Sequence, residues 1–440
     1  MQPITAVIVG AGHRAMLYAS FAKEHPDILK IVGVAEPNPI RREKVAQEYQ
    51  LPPENCFPSA EELTQRGNIS DAVINGTMDK EHVPTSLLLL EAGYHILLEK
   101  PFATTEDEMW ELVRAASKFG KHVAICHVLR YAPFYAAIKK LVAEGAIGEI
   151  INIQTIEHVS YHHMAIAFVR GKWNNTEACA SSMLMAKCCH DLDLIMWMKS
   201  GIPPKKVASF GSISHFTAQK APKGAGTRCL LDCKIEEQCL YSARKHYLDH
   251  PERWAMYVWN ILEKDEQPSL AEKIRLLQTD NPHGRCVWHC DNDVVDRQSV
   301  IIEFEDGCTC THNMIGGTAR PSRSIHMVGT LGEIQGVMED SKFVIRKIDP
   351  RPGCEYTEET FDLNIIGDMD GRSGGHGGGD LRLVADFCQT LLGGKPSLSS
   401  TDLNDSIYGH LVGFLAEEAR LEGKVLQIPR VERANLQSCK

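Results

Sequence analysis

Short, apolar, β-rich runs alternate with helix-like stretches throughout residues 1–127. Strands are expected over 6–9, 31–35, 71–75, 95–98 and 122–126, with helices over 15–25, 83–92 and 106–119. Parallel neighbours need a crossover, and helices on both faces leave such strands apolar on both sides. The alternation predicts a doubly wound α/β unit around a parallel sheet.

The pattern changes after Arg130. A helix is expected over 133–144, then strands over 149–161, 207–210, 299–304, 308–314, 325–329 and 333–338. They are joined by turns such as Glu305-Asp306-Gly307. Consecutive strands with few helices between them predict a large, mostly antiparallel open sheet. Helices are expected over 190–199, 380–392 and 402–422. The expected organisation is a nucleotide-binding domain over 1–127 and a second domain over 128–440. Residues 217–296, rich in Cys, Trp, Lys and Pro, read as an insertion in the second domain.

Bulk properties narrow the function. The net charge of −10 argues against a broad nucleic-acid surface. No apolar run reaches membrane-spanning length, because Leu87-Leu88-Leu89-Leu90 stops at Glu91. The N-terminus shows no secretory pattern, so the 15 cysteines are expected to be reduced thiols in the cytoplasm.

Gly10-x-Gly12-x-x-Ala15 follows a strand and opens a helix. The first glycine permits a tight turn and the second lets backbone approach a pyrophosphate. Ala15 keeps helix and strand close, and the helix N-terminus favours an anion. Glu36, after the second strand, suits adenosine ribose hydroxyls. NAD is the expected cofactor. Arg41 and Arg42 keep NADP open, since either could meet a 2′-phosphate. Open α/β sheets bind ligands beyond the carboxyl ends of their strands. Thr77 and Glu99-Lys100-Pro101 occupy such ends, and Lys100 there could polarise a substrate hydroxyl.

Gly10-x-Gly12-x-x-Ala15, Val34-Ala35-Glu36, Glu99-Lys100-Pro101, Arg130-Tyr131 and His190-Asp191-Leu192-Asp193 together resemble the Gfo/Idh/MocA oxidoreductases. The resemblance implies a Rossmann domain plus an α/β domain whose sheet mediates oligomerisation, giving a homodimer or homotetramer. It implies hydride transfer between NAD or NADP and a hydroxyl-bearing carbon of a sugar, sugar derivative or cyclitol. Lys100 corresponds to the family's catalytic lysine and His190 to its acid–base histidine. The cofactor contacts would be Gly10, Gly12, His13, Arg14, Glu36, Thr77, His82, Glu99, Lys100 and Pro101.

Two departures stand out. Family members often carry an aspartate four residues before that histidine, where this chain has Ala186. Lys187 follows, and is expected to enter the pocket as a second ammonium that assists catalysis. Thr77 is followed by Met78 rather than the family's usual proline.

Arg130, Tyr161, His163, Arg170 and Trp173 are candidate substrate contacts, because aromatic faces and polar edges suit a sugar ring. His376, in a glycine-dense loop, is another. Cys229, Cys233, Cys239 and Cys290 could close a structural zinc site in the insertion, or pack as buried thiols. Two other functions stay open: a redox-neutral, NAD-dependent glycoside-cleaving enzyme, and a non-catalytic NAD-binding protein.

Overall fold

The computed structural model describes residues 2–264, 267–363 and 378–431. Two sheets organise them. The first has six parallel strands: β1 (Ile4–Val9), β2 (Leu29–Ala35), β3 (Cys56–Phe57), β4 (Ala72–Asn75), β5 (His95–Leu98) and β6 (Val123–Ile125). Their order is β3-β2-β1-β4-β5-β6. The order reverses between β1 and β4, and that switch point opens the crevice where dinucleotides bind in such sheets. Both faces are covered. Ala6, Ile8 and Ile74 pack on one side, and Val7, Val9 and Val73 on the other. The C-terminal part of the chain returns to this sheet. Leu383, Val384 and Phe387 of the helix Gly379–Leu391 join the first face, and Leu403, Ile407 and Leu411 of the helix Leu403–Glu422 join the second.

The second sheet contains β7 (Ile150–Ser160), β8 (Pro204–Ser212), β9 (Arg297–Phe304), β10 (Thr309–Thr318) and β11 (Ser322–Gly329). It continues with β12 (Gly332–Val337), β13 (Lys342–Ile348), β14 (Tyr356–Asp362) and β15 (Leu426–Gln427). The order is β14-β13-β12-β11-β7-β10-β9-β8-β15. Only the β7–β10 pair is parallel among these described strands; the rest are antiparallel. Strand β9 alternates exposed and buried residues, so one face meets the core and the other does not. Phe210, Ile301 and Ile315 are exposed on that second face of β8, β9 and β10, with Phe210 opposite Ser299, Ile301 opposite Ala208 and Thr311, and Ile315 opposite Arg297.

The insertion leaves the sheet at a hairpin. β8 and β9 pair to their ends, with Ser212 opposite Arg297, and the chain between them forms the extra lobe. Asp296 closes its neck by accepting from the backbone N–H groups of Ser214 (2.9 Å) and His215 (2.6 Å). Inside the lobe, regular structure is confined to short pieces, the longest being the helix Leu270–Gln278.

Candidate active site

The glycine turn is built as its spacing requires. Gly10 has φ +77°, and a Cβ there would lie 2.9 Å from the Thr77 backbone. Gly10 thus lets the turn press against the loop after β4. A Cβ on Gly76 would come within 2.7 Å of the Ala15 Cβ, so the third motif position meets that same loop. Around Gly12 there is room: its nearest neighbour would be the Gly76 carbonyl, 3.8 Å away. Helix His13–Ala19 starts there, and its first N–H groups have no carbonyl within the helix. An open glycine backed by helix N–H groups fits a pyrophosphate.

Glu36 is buried and organises the turn. Its carboxylate accepts from the N–H of Ala11 (2.7 Å) and of Asn38 (2.8 Å). Two carboxylate oxygens offer about four acceptor positions, so capacity remains for ribose hydroxyls.

The loops after β4 and β5 are tied together. The buried ring of His82 lies 2.7 Å from the Pro101 carbonyl through Nδ1 and 3.1 Å from the Thr77 carbonyl through Nε2. This geometry makes His82 a brace between loops rather than a surface for a ligand. Thr77 is held by the Asn75 side chain, which accepts from its hydroxyl at 2.9 Å. Arg14 points away from the turn toward Glu99 (3.2 Å), Tyr18 and Asp380. Burial works against the charge on Glu99, but Arg14 and Lys100 hold its carboxyl below the usual carboxylate range. Arg14 and Glu99 therefore form a charged floor under the turn.

Lys100 reaches across the crevice. Its ammonium donates to the Ala186 carbonyl at 3.0 Å, at the position where the family often has a carboxylate. Ala186 lies in the π-helical turn Leu184–Cys188, which runs into the helix Cys189–Met198 carrying His190. Burial disfavours the ammonium, yet Cys189, Glu99 and Asp79 raise the Lys100 pKa above its ordinary value. The group is thus a cation at neutral pH. One helical turn beyond Ala186, the His190 ring packs edge-on against His127, with centroids 5.8 Å apart. His127 follows β6 and is buried. Burial, Arg130 and Lys100 push its pKa well below the histidine norm, which keeps it neutral.

Several sequence expectations are corrected by geometry. Lys187 pairs with Glu157 of β7 at 3.2 Å, and Glu157 also meets Arg323 at 2.7 Å. Its charge is spent on the sheet. Arg130 is buried and grips Asp193 through Nε (2.7 Å) and Nη2 (2.5 Å), a structural clamp on the His190 helix. Arg170 is buried too, donating to the carbonyls of Arg285 (2.6 Å) and Tyr241 (2.8 Å) inside the insertion. Neither guanidinium is presented to a substrate.

Cys229, Cys233, Cys239 and Cys290, expected as a zinc site, do not form a group with metal-ligand spacing among the described residues. Among the described residues every cysteine lacks a disulfide partner. Cys229 accepts from Arg170 at 3.4 Å and Cys239 from the Tyr241 N–H at 3.3 Å. The one described group with metal-ligand spacing is Cys188, Asp191 and His312, elsewhere in the core. Asp191 already pairs with Arg323 at 3.1 Å, and that guanidinium opposes a cation there.

The aromatic candidates do come together, with partners that sequence reasoning missed. His163 packs on Trp254 (centroids 4.7 Å apart), Trp254 on Tyr257 (5.6 Å), and Tyr257 against His13 of the glycine turn (6.4 Å). On the other side His163 meets Phe168 (5.8 Å), and Phe168 meets Trp173 (6.2 Å). Trp173 donates to Asp79 at 3.2 Å and carries Lys172 over its ring. Lys172 feels both Asp79 and Lys100. Tyr161 sits apart, against His246 and Tyr241. An aromatic wall thus runs from the cofactor turn to the second sheet, with Trp254 and Tyr257 supplied by the insertion. His127, Tyr257 and Lys172 stood in no motif, which is why the sequence did not single them out. His376 lies outside the described residues.

A Rossmann sheet with its glycine turn, and a strand-end lysine that meets the backbone one helical turn before a buried histidine, define a dinucleotide-binding oxidoreductase. The family model described as "Oxidoreductase family, NAD-binding Rossmann fold" matches residues 4–127, and the GFO/IDH/MocA C-terminal domain matches 135–234. The chain belongs to the Gfo/Idh/MocA family of oxidoreductases.

YteT of Bacillus subtilis (strain 168) is 25% identical over 76% of this chain and 74% of its own length. The scyllo-inositol 2-dehydrogenase (NADP(+)) IolW of the same organism is 28% identical, but over 38% of this chain and 44% of its own. With IolW, then, the likeness spans less than half of either protein. The structure of levoglucosan dehydrogenase in complex with NADH and levoglucosan matches 98% of this chain and 100% of that one. Its TM-score is 0.67 at 17% identity, a likeness of fold. No described helix is long and apolar enough to cross a membrane.

Proposed function

We propose that this protein is an NAD-dependent dehydrogenase acting on a hydroxyl-bearing carbon of a sugar, sugar derivative or cyclitol. One observation carries the reading: the Lys100 ammonium bridges the crevice to Ala186, one helical turn before His190. The inositol dehydrogenase relative and the aromatic wall support a polyhydroxylated ring as substrate.

NAD fits the residues present. Gly10, Gly12 and the N–H groups at His13 would hold the pyrophosphate, and Glu36 the adenosine ribose. Thr77 and Pro101 would border the nicotinamide, braced by His82. When bound, the nicotinamide supplies a hydride acceptor. His190 takes the substrate hydroxyl proton. The Lys100 ammonium stabilises the negative charge that develops on that oxygen, in a site partly shielded from water. His127, neutral behind His190, keeps the ring edge in place without adding charge. His163, Trp173, Trp254 and Tyr257 offer faces to the ring, while Lys187, Arg130 and Arg170 act at a distance as positioning residues.

In this reading residues 1–127 form the cofactor domain, and 128–440 the substrate and oligomerisation domain. The uncovered face bearing Phe210, Ile301 and Ile315 supports pairing with further copies as a homodimer or homotetramer. The free thiols support a cytoplasmic setting.

The test is NADH formation from NAD+ and a panel of sugars and cyclitols. Lys100→Ala and His190→Ala should each lower kcat about a hundredfold or more, with NAD+ affinity nearly intact. Wild-type rates in both variants would remove this site from the mechanism. Substrate turnover without net NADH would instead identify a redox-neutral enzyme.

A further inference from the structure

Two carboxylates bracket Arg41. Nη1 lies 3.9 Å from Glu36 Oε2, and Nη2 pairs with Glu263. Glu36 comes from the end of β2, whereas Glu263 comes from the insertion, in the short turn Ile261–Glu263. Arg41 is fixed there because the Asn38 side chain caps the helix Pro39–Glu48, accepting from the Arg41 N–H at 3.1 Å. The other cations of this helix are occupied as well. Arg42 donates to the Glu36 carbonyl at 2.5 Å, and Lys44 to the Lys264 carbonyl at 2.5 Å.

We infer that Glu263 makes the insertion a cofactor-selectivity element: it holds Arg41 and adds a second negative charge beside Glu36, which turns the adenosine end of the site against a 2′-phosphate. This rests on the NAD-dependent reading above. A phosphate monoester carries close to two negative charges and needs guanidinium or ammonium donors. Here the nearest guanidinium is already paired on two sides, so a 2′-phosphate would have to displace Glu263 while facing Glu36. An unmodified ribose needs no cation, because its hydroxyls donate to Glu36. Selectivity then comes from a repulsive element as much as from an attractive one. The pair is partly solvated, with side-chain exposures of 27% for Arg41 and 34% for Glu263, so the effect is several-fold rather than thousand-fold.

The test compares dissociation constants of NAD+ and NADP+ for the full chain and for Glu263→Gln, at one fixed ionic strength. Glu263→Gln should tighten NADP+ about fivefold, leave NAD+ within about twofold, and lose that gain in an Arg41→Gln background. An unchanged NAD+/NADP+ ratio overturns the inference, as does an equal gain without Arg41. NAD+ binding doubles as the folding control, with Glu263→Ser as a second variant. Loss of NAD+ binding in both variants would show that Glu263 supports binding rather than selection, and would also overturn it. Absence of any dinucleotide binding by the unaltered chain would overturn the oxidoreductase reading itself, an outcome distinct from all of these.

Discussion

The parallel sheet and the insertion solve the same problem by opposite means. In the sheet, polar and charged side chains sit at strand ends, where local rules put them. Glu36 follows β2, Thr77 follows β4 and Lys100 follows β5, each braced by backbone groups or short loops. The apolar interior is continuous along β1 and β4. In the insertion, regular elements are few and a buried cation does the organising. Arg170 gathers the carbonyls of Arg285 and Tyr241 and the Tyr247 hydroxyl, from two segments distant in sequence. A regular sheet distributes its stability over many small backbone contacts, whereas this lobe joins an apolar cluster that includes Tyr241, Tyr247, Trp259 and Trp288 to a buried cation.

That contrast can be broken most directly at Arg170. Arg170→Met should destabilise the insertion by about 3 kcal/mol or more, because buried acceptors lose a charged donor. Limited proteolysis should cut within 213–296 while the parallel sheet stays protected. Equal loss of protection in both regions would mean that the lobe and the sheet unfold as one unit.

A single buried histidine of the lobe gives the next test. Burial, with Arg170 and Arg285 nearby, pushes the His283 pKa down to about 3. Its unfolded value is about 6.5. The unfolded lobe therefore takes up a proton that the folded lobe refuses, so stability is full above pH 6.5 and falls as pH drops toward 3. His162, lowered to about 4 by burial, acts in the same direction. Glu99 in the cofactor half has a lowered carboxyl pKa, so its contribution is lost only as pH falls below the unfolded carboxylate value of about 4.3. His95 and His127, at β5 and after β6, are depressed by burial as well, so acid weakens the cofactor half too. In hydrogen exchange at pH 5, His283→Gln should flatten the loss of protection in the lobe and leave β1 and β4 unchanged; an equal effect on β1 and β4 would erase the distinction.

The smallest effect is expected from the thiols. Cys229→Ser and Cys239→Ser should each shift stability by about 1 kcal/mol, and a chelator should leave Tm unchanged. A chelator-sensitive Tm together with stoichiometric zinc would restore the metal reading and supply the lobe with a second anchor.

The same contrast explains what could be read in advance. The parallel sheet was legible because apolar runs, glycine spacing and strand-end residues are all local signals. Lys100 and His190 were legible for the same reason, since each sits in a short motif. The roles of Arg130, Arg170 and Lys187 were not, because their partners Asp193, Tyr241 and Glu157 are remote in sequence or lie on another element. A long polar side chain in a candidate pocket segment looks alike whether it faces a ligand or a buried carboxylate. β13 and β14 escaped notice through weak alternation: β14, Tyr-Thr-Glu-Glu-Thr-Phe-Asp, is polar nearly throughout as an edge strand. His82 was expected as a cofactor contact and not as a brace, and the ring of His127 beside His190 had no sequence signal.

The hairpin origin of the lobe has a consequence for how this chain tolerates change. β8 and β9 are adjacent antiparallel strands that a few residues could join. The entropy of closing a loop grows only with the logarithm of its length, about 0.6 kcal/mol per doubling. Everything from 213 to 296 is therefore suspended from a junction that the sheet would make anyway, and Asp296 ties that junction shut. The chain can lengthen, trade or reshape this lobe without renegotiating the register of a single strand.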